Sequence, residues 1–151
     1  MNFSDRFLAK TSGTDPNSGN TPDQVLETLR KIGVPLQERW DFSPDIDTVE
    51  KFYDNPPPKL FDYARQDFLD IYNFKYEDVP TDKETIKKAL KCSVIGVGLV
   101  AWFQNNNGIY YSPKGTSANH FCVIYGYDDE KQAWKIFDSY DQSIKILSFD
   151  H

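Results

Sequence analysis

Residues 118–141, ANHFCVIYGYDDEKQAWKIFDSYD, alternate in the way an antiparallel β-hairpin requires. On the first arm His120, Cys122, Ile124 and Gly126 share one parity, and Phe121, Val123, Tyr125 and Tyr127 the other. On the second arm Trp134, Ile136 and Asp138 share a face. A three-residue turn at Asp128, Asp129 and Glu130 would pair Tyr127 with Lys131. That register sets Ile124 opposite Trp134, Cys122 opposite Ile136, and His120 opposite Asp138. Facing residues lie about 5 Å apart at Cβ, within hydrogen-bonding reach for an imidazole and a carboxylate. Such a pair suits general-base chemistry, because an acceptor behind one ring nitrogen fixes the tautomer and leaves the other nitrogen for a nucleophile. It is also the pattern of a surface histidine beside a hairpin aspartate.

The rest of the chain is compatible with a single domain over residues 1–151, with no repeats and no evident boundary. A hydrophobic content of 39%, with 15% aromatic, supports a buried core. The net charge of −6 disfavours nucleic acid or an anionic membrane as partner. The longest apolar run, 94–103, is half the ~20 residues of a membrane span. The start, MNFSDRFLAK, has no secretory apolar segment. Cys92 and Cys122 make no disulfide framework; both sit in strand-like apolar contexts that suit buried free thiols. A reducing, cytoplasmic compartment is the expectation.

Phe3, Phe7 and Leu8 mark a short amphipathic piece that gives way to the loop TSGTDPNSGN. Thr21-Pro22-Asp23-Gln24 predicts a capping box opening a helix over 21–32, with Val25, Leu26, Leu29 and Ile32 on one stripe and Gly33 as the stop. A short helix at 48–53 precedes Pro56-Pro57-Pro58, which would suit a rigid spacer or an SH3-type partner. Residues 61–77 read weakly as strand, and Thr81-x-x-Glu84 predicts a helix over 82–91 with Ile86, Ala89 and Leu90 inward. Residues 93–103, SVIGVGLVAWF, are apolar at both parities and predict a central strand whose glycines mark close backbone approach. A turn at 104–108, a short strand at 109–111, a loop at 112–117 and a last strand at 143–149 complete an α+β pattern.

Several of these elements, in this order, resemble the papain-like (C1 family) cysteine peptidases. The carriers are Asn119-His120 opening an apolar strand, Gly126-Tyr127-Asp128 ending it, Trp134-Lys135-Ile136, and Asp138-Ser139-Tyr140 where that family has Asn-Ser-Trp. The loop Asn17-Ser18-Gly19-Asn20, the Thr21 helix and Gly33-Val34 match a Cys-Asn-Gly-Gly loop, helix and turn of the family. The resemblance covers most of residues 3–149. It implies a papain-like α+β fold, short N-terminal helices followed by an antiparallel, partly barrel-like sheet. It also implies peptide-bond hydrolysis through an acyl-thioester without metal or cofactor, His120 as general base and Asp138 as its orienter. Gly19, Asn20 and Asn119 would line the substrate cleft, Asn20 standing where a glycine is usual and tolerating φ > 0.

The departures are as informative. The family's nucleophile lies in a Gln-x-Gly-x-Cys-Gly-x-Cys-Trp helix that neither Cys92 nor Cys122 matches. Cys122, two residues from His120, lies about 6.5–7 Å along the strand, too far for direct contact. The expectation is an incomplete papain-like domain whose nucleophile comes from elsewhere, either from a Cys-bearing companion chain or from a portion of the polypeptide removed by truncation. The alternative is an inactive papain-like fold acting as a protein-binding module, self-associating or holding a partner through its cleft wall. A further alternative is the C39-like branch, where an Asp follows on the next strand. Asp138 in place of Asn would favour the imidazolium, though Asp orients histidine in other hydrolases. Tyr140 in place of Trp would thin the cover over the His–Asp bond. His120 and His151 form no metal-ligand spacing.

Overall fold

The computed structural model describes residues 2–105, 107–111 and 117–150. Contacts divide the chain into two compact units, Met1–Glu77 and Asp78–His151, a division no composition shift marks.

In the first unit, helix α1 (Asp5–Thr11) starts at Ser4, whose Oγ accepts from the Phe7 N–H at 3.2 Å. Helix α2 (Pro22–Lys31) has Thr21 at its N-cap and Pro22 at N1 as expected, but the Thr21 side chain makes no cap hydrogen bond. Instead Asn20 Oδ1 accepts the Thr21 N–H at 2.7 Å. Gly33 ends the helix with φ +79°, and a Cβ there would sit 2.5 Å from the Ala64 carbonyl oxygen. Thr48 caps the one-turn α3 (Val49–Phe52).

Residues 61–77 correct the strand expectation. The proline run leads directly into helix α4 (Lys59–Ala64), which widens into a π-helical turn at Arg65–Leu69. Aromatic content suggested strand, but Leu60, Ala64 and Phe68 recur every four residues, and burying that stripe overrides local propensity. With Phe7 and Val34 they form this unit's core. Asp67 is buried there and accepts from the Leu36 N–H at 3.0 Å and from Arg39 at 2.7 and 3.1 Å.

In the second unit, helix α5 (Lys83–Ala89) is capped by Asp82, whose side chain accepts from the Thr85 N–H. The cap is thus one residue later than the Thr81 capping box. Ile86 and Leu90 pack toward the sheet as expected. Among the described residues six strands follow: β1 (Ile95–Leu99), β2 (Phe103–Gln104), β3 (Ile109–Tyr111), β4 (His120–Asp128), β5 (Ala133–Asp138) and β6 (Ser143–Ser148), in the order β1-β4-β5-β6-β3-β2. All neighbours are antiparallel except β3 and β6, which run parallel. Most of the loop expected at 112–117 lies outside the described residues.

Strand β1 is an edge of this sheet, not its centre, and it stops at Leu99. Within β1 the second parity is Gly96 and Gly98, so the apolar run does not reflect burial of both faces. Gly96 leaves room for the Phe121 ring, which would lie 2.5 Å from an added Cβ. Cys92 follows α5 and is exposed, contrary to expectation; Cys122 is buried.

The β4–β5 hairpin forms, but its register differs. Asp128 pairs with Ala133 and Tyr127 with Trp134, and a bulge between Ile124 and Gly126 leaves Ile124 opposite Ile136. Asp128 Oδ1 binds the Lys131 N–H and Gln132 takes φ +50°, which lengthens the turn. Beyond the bulge the partner shifts by two residues, an even step that leaves every side chain on its expected face. At Tyr127 the shift is three, so Tyr127 rather than Gly126 joins the Trp134 face. That face carries the core: Leu99, Cys122, Ile124, Trp134, Ile136 and Leu147.

Candidate active site

Three strands bring a polar cluster to one end of this core. Leu99 pairs with His120 across β1 and β4, and Asp138 pairs with Ser143 across β5 and β6. His120 Nε2 lies 2.8 Å from Asp138 Oδ1, with 5% of the histidine side chain and 1% of the aspartate side chain exposed. The two do not face each other directly, contrary to the register expected from the hairpin sequence. Continuing the register from Val123 and Phe137 sets Asp138 level with Cys122, so His120 reaches it diagonally.

Asp138 has further partners. Its Oδ1 accepts the Tyr140 N–H at 3.2 Å, and its Oδ2 accepts from Lys145 Nζ at 2.6 Å. Burial pushes the Asp138 carboxyl up, yet the bonds from Lys145, the Tyr140 backbone and His120 outweigh it and hold it below the usual value. An ionised carboxylate only accepts, so Nε2 carries the proton and Nδ1 the lone pair in the neutral ring. Nδ1 has no hydrogen-bond partner among the described residues, and is the atom at which this ring can take a proton.

Aromatic rings hold the imidazole. The Tyr140 ring stacks on it at 4.1 Å and 18°, and Trp102 meets it edge-on at 5.2 Å and 82°. Tyr140, which stands where that family has Trp, lies over the imidazole ring, and Trp102 closes a second side. Asn119 fixes the approach of Trp102: its N–H donates to the Leu99 carbonyl at 3.0 Å and its Oδ1 accepts the Ala101 N–H at 2.8 Å.

Cys122 shares the His120 face, in surroundings unsuited to an activated thiol. Burial, with the Asp138 charge adding to it, pushes its thiol up to about 11, so the thiolate is scarce at neutral pH. Gly19 and Asn20 belong to the first unit. Gly19 bonds Asp15 through both its backbone N–H and carbonyl and takes φ +82°. Asn20 does not use a positive φ; its Nδ2 donates to Ser12 and Thr14.

Lys145, Trp102 and Tyr110 are absent from the sequence-based site. Lys145 alternates with Ile144 and Ile146, and alternation alone does not say which set is inward. The signal was the carboxylates at Asp138 and Asp141, near enough across one turn to hold a buried ammonium. Trp102 left no signal, because its position depends on β1 ending early. Among the described residues no group of three His, Cys, Asp or Glu side chains is placed to hold a metal ion, and no helix is long and apolar enough to cross a membrane. His151, the other histidine weighed as a ligand, lies outside the described residues.

Helices leading into this sheet, with a histidine at the start of β4 and its acceptor at the end of β5, make the fold an α+β fold of the papain-like class. Among solved structures, xylellain, a cysteine protease from Xylella fastidiosa, matches 98% of this chain with a TM-score of 0.72 at 19% sequence identity. The Carica candamarcensis cysteine protease CMS1MS2, solved in complex with E-64, matches 97% with a TM-score of 0.64 at 14% identity. The chain spans 64% of xylellain and 68% of CMS1MS2, and at these identities the likeness establishes the fold. No protein family and no curated protein matches the sequence.

Proposed function

We propose that this chain supplies the base and orienter of a papain-like cysteine peptidase. The carrying observation is the 2.8 Å contact from His120 Nε2 to Asp138, which leaves Nδ1 as the basic atom in a ring held by Tyr140 and Trp102. The nucleophilic thiol would come from a segment outside residues 1–151, on the same polypeptide or a companion chain. Nδ1 takes the thiol proton, and the thiolate adds to the peptide carbonyl. The imidazolium then protonates the departing amine, leaving an acyl-thioester. Water, deprotonated by the same nitrogen, hydrolyses it.

The substrate would be a peptide or protein chain, contacted by Gly19, Asn20 and Asn119. In favour of that role, the Asn20 backbone N–H and carbonyl bear no hydrogen bond among the described residues, as pairing with an extended peptide requires. No cofactor or metal enters the scheme, and a reducing compartment such as the cytoplasm suits its free thiols.

A second reading, a catalytically inactive binding module, is favoured by a different observation. Phe121, Phe137 and Ile144 are exposed within the second unit, on the sheet face opposite His120. Native mass spectrometry of the protein purified from its source, with epoxide labelling of activated thiols, separates the two. Peptidase function predicts an alkylated cysteine on a longer form of this chain or on a co-purifying partner. A single unlabelled 17.5 kDa species or its homo-oligomer would leave the binding module.

A further inference from the structure

Lys145 is a buried lysine, 6% exposed at its side chain, on the same sheet face as His120. Buried lysines are rare unless fully paired. This one donates to Asp138 Oδ2 at 2.6 Å, to both Asp141 oxygens at 2.7 Å and to Ser143 Oγ at 2.8 Å. Its ammonium also lies 5.6 Å from the Trp102 ring centre and 5.7 Å from that of Tyr110. Asp138 therefore accepts from two donors at once, the His120 ring on Oδ1 and Lys145 on Oδ2.

The chemistry proposed for His120 makes that division consequential. A ring that takes a proton from a thiol and later from water has to pass readily between its neutral and charged forms near working pH. A lone buried carboxylate on Nε2 would hold the ring as imidazolium. A neutral amide would orient it without that bias.

We propose that Lys145 is a positioning residue that neutralises Asp138, so that the buried Asp138–Lys145 pair holds His120 Nε2–H as an uncharged amide would. The assignment rests on the reading of His120 as a base. The titratable groups around the ring are Cys122 on β4, Asp138 on β5, Tyr140 and Asp141 in the following turn, Lys145 on β6 and Tyr110 on β3. Only Asp138, Asp141 and Lys145 of these are acidic or basic side chains of the ionic kind. Asp141 is 56% exposed, so solvent screens it, and the balance at the ring is set by the two buried members.

The test is an NMR pH titration of the His120 ring in the wild type, in Lys145→Met and in the double variant Asp138→Asn/Lys145→Met. The single variant uncovers the carboxylate, and its titration midpoint moves up by about one pH unit or more. The double variant replaces a neutral pair by a neutral amide, and its midpoint stays within about half a unit of the wild type. A Lys145→Met protein that folds and titrates like the wild type overturns the proposal. So does a double variant whose midpoint falls by more than about one unit, because Asp138 would then have acted as a bare charge. Where the single variant does not fold, wild type against double variant decides the question. None of these readings needs turnover, so the absence of peptidase activity leaves this test intact.

Discussion

His120 and Asp138 hydrogen-bond across a diagonal of the β4–β5 pair, 2.8 Å apart, and not as directly facing residues. The ladder places Asp138 where Lys145 on the next strand and His120 on the previous one both reach it. One carboxylate thereby joins three strands at a single point.

Removing that carboxylate strands the lysine. Asp138→Ala leaves Lys145 buried with only the exposed Asp141 as anionic partner, and should lower unfolding free energy by about 3–5 kcal/mol in urea titrations. Asp138→Asn, which can still accept from Nε2–H, should lose less. Equal losses for the two substitutions would contradict the hydrogen-bonding role.

The faces of the hairpin were legible in the sequence, whereas its register was not. Period-two alternation assigned His120, Cys122, Ile124, Trp134, Ile136 and Asp138 to one side, and a two-residue slip cannot change that. The turn length and the bulge at Tyr125 depend on Gln132 adopting a left-handed backbone and on the Asp128 side chain bonding Lys131, neither of which a hydrophobic pattern records. At residues 61–77 the reason is another: the stripe of Leu60, Ala64 and Phe68 that runs into this stretch is helical, but aromatic residues around it mask the period. Lys145 escaped because its partners become neighbours only once three strands are aligned.

The face assignment can be tested by two isoleucines. Ile136 is fully buried and Ile144 is 65% exposed. Ile136→Ala should cost about 2–5 kcal/mol, and Ile144→Ala within about 0.5 kcal/mol of zero, both by chemical denaturation. Comparable losses would contradict the face assignment, and a larger loss at Ile144 would reverse it.

Thiol reactivity should divide the two cysteines. Cys92 is exposed, whereas Cys122 is buried with its thiol near 11. In the native protein iodoacetamide at neutral pH should label Cys92 alone, and after denaturation both, as read by peptide mapping. Rapid native labelling of Cys122 would restore it as a candidate nucleophile.

Acid should destabilise the fold through two buried carboxylates. Asp67 is held below its ordinary value chiefly by Arg39, and Asp138 by Lys145, Tyr140 and His120 against the opposing effect of burial. Because the folded pKa lies below the unfolded one, near 3.9, this stabilisation is present above about pH 4 and disappears as pH falls through the folded values. Lys145 runs the other way. Burial lowers its pKa, but Asp138 and Asp141 leave it raised overall, so its contribution holds below about pH 10.4 and fades above. Melting temperatures across pH 2–7 should fall steeply at the acid end for the wild type and less so for Asp67→Asn.

The most direct test of the central claim is the tautomer of His120, read by long-range nitrogen–proton NMR above its titration midpoint. The His120–Asp138 geometry predicts a protonated, pyrrole-like Nε2 and an unprotonated, pyridine-like Nδ1. The reverse assignment, with the proton on Nδ1, would show that Asp138 does not hold Nε2–H and that His120 lacks the free basic nitrogen on which the proposed chemistry depends.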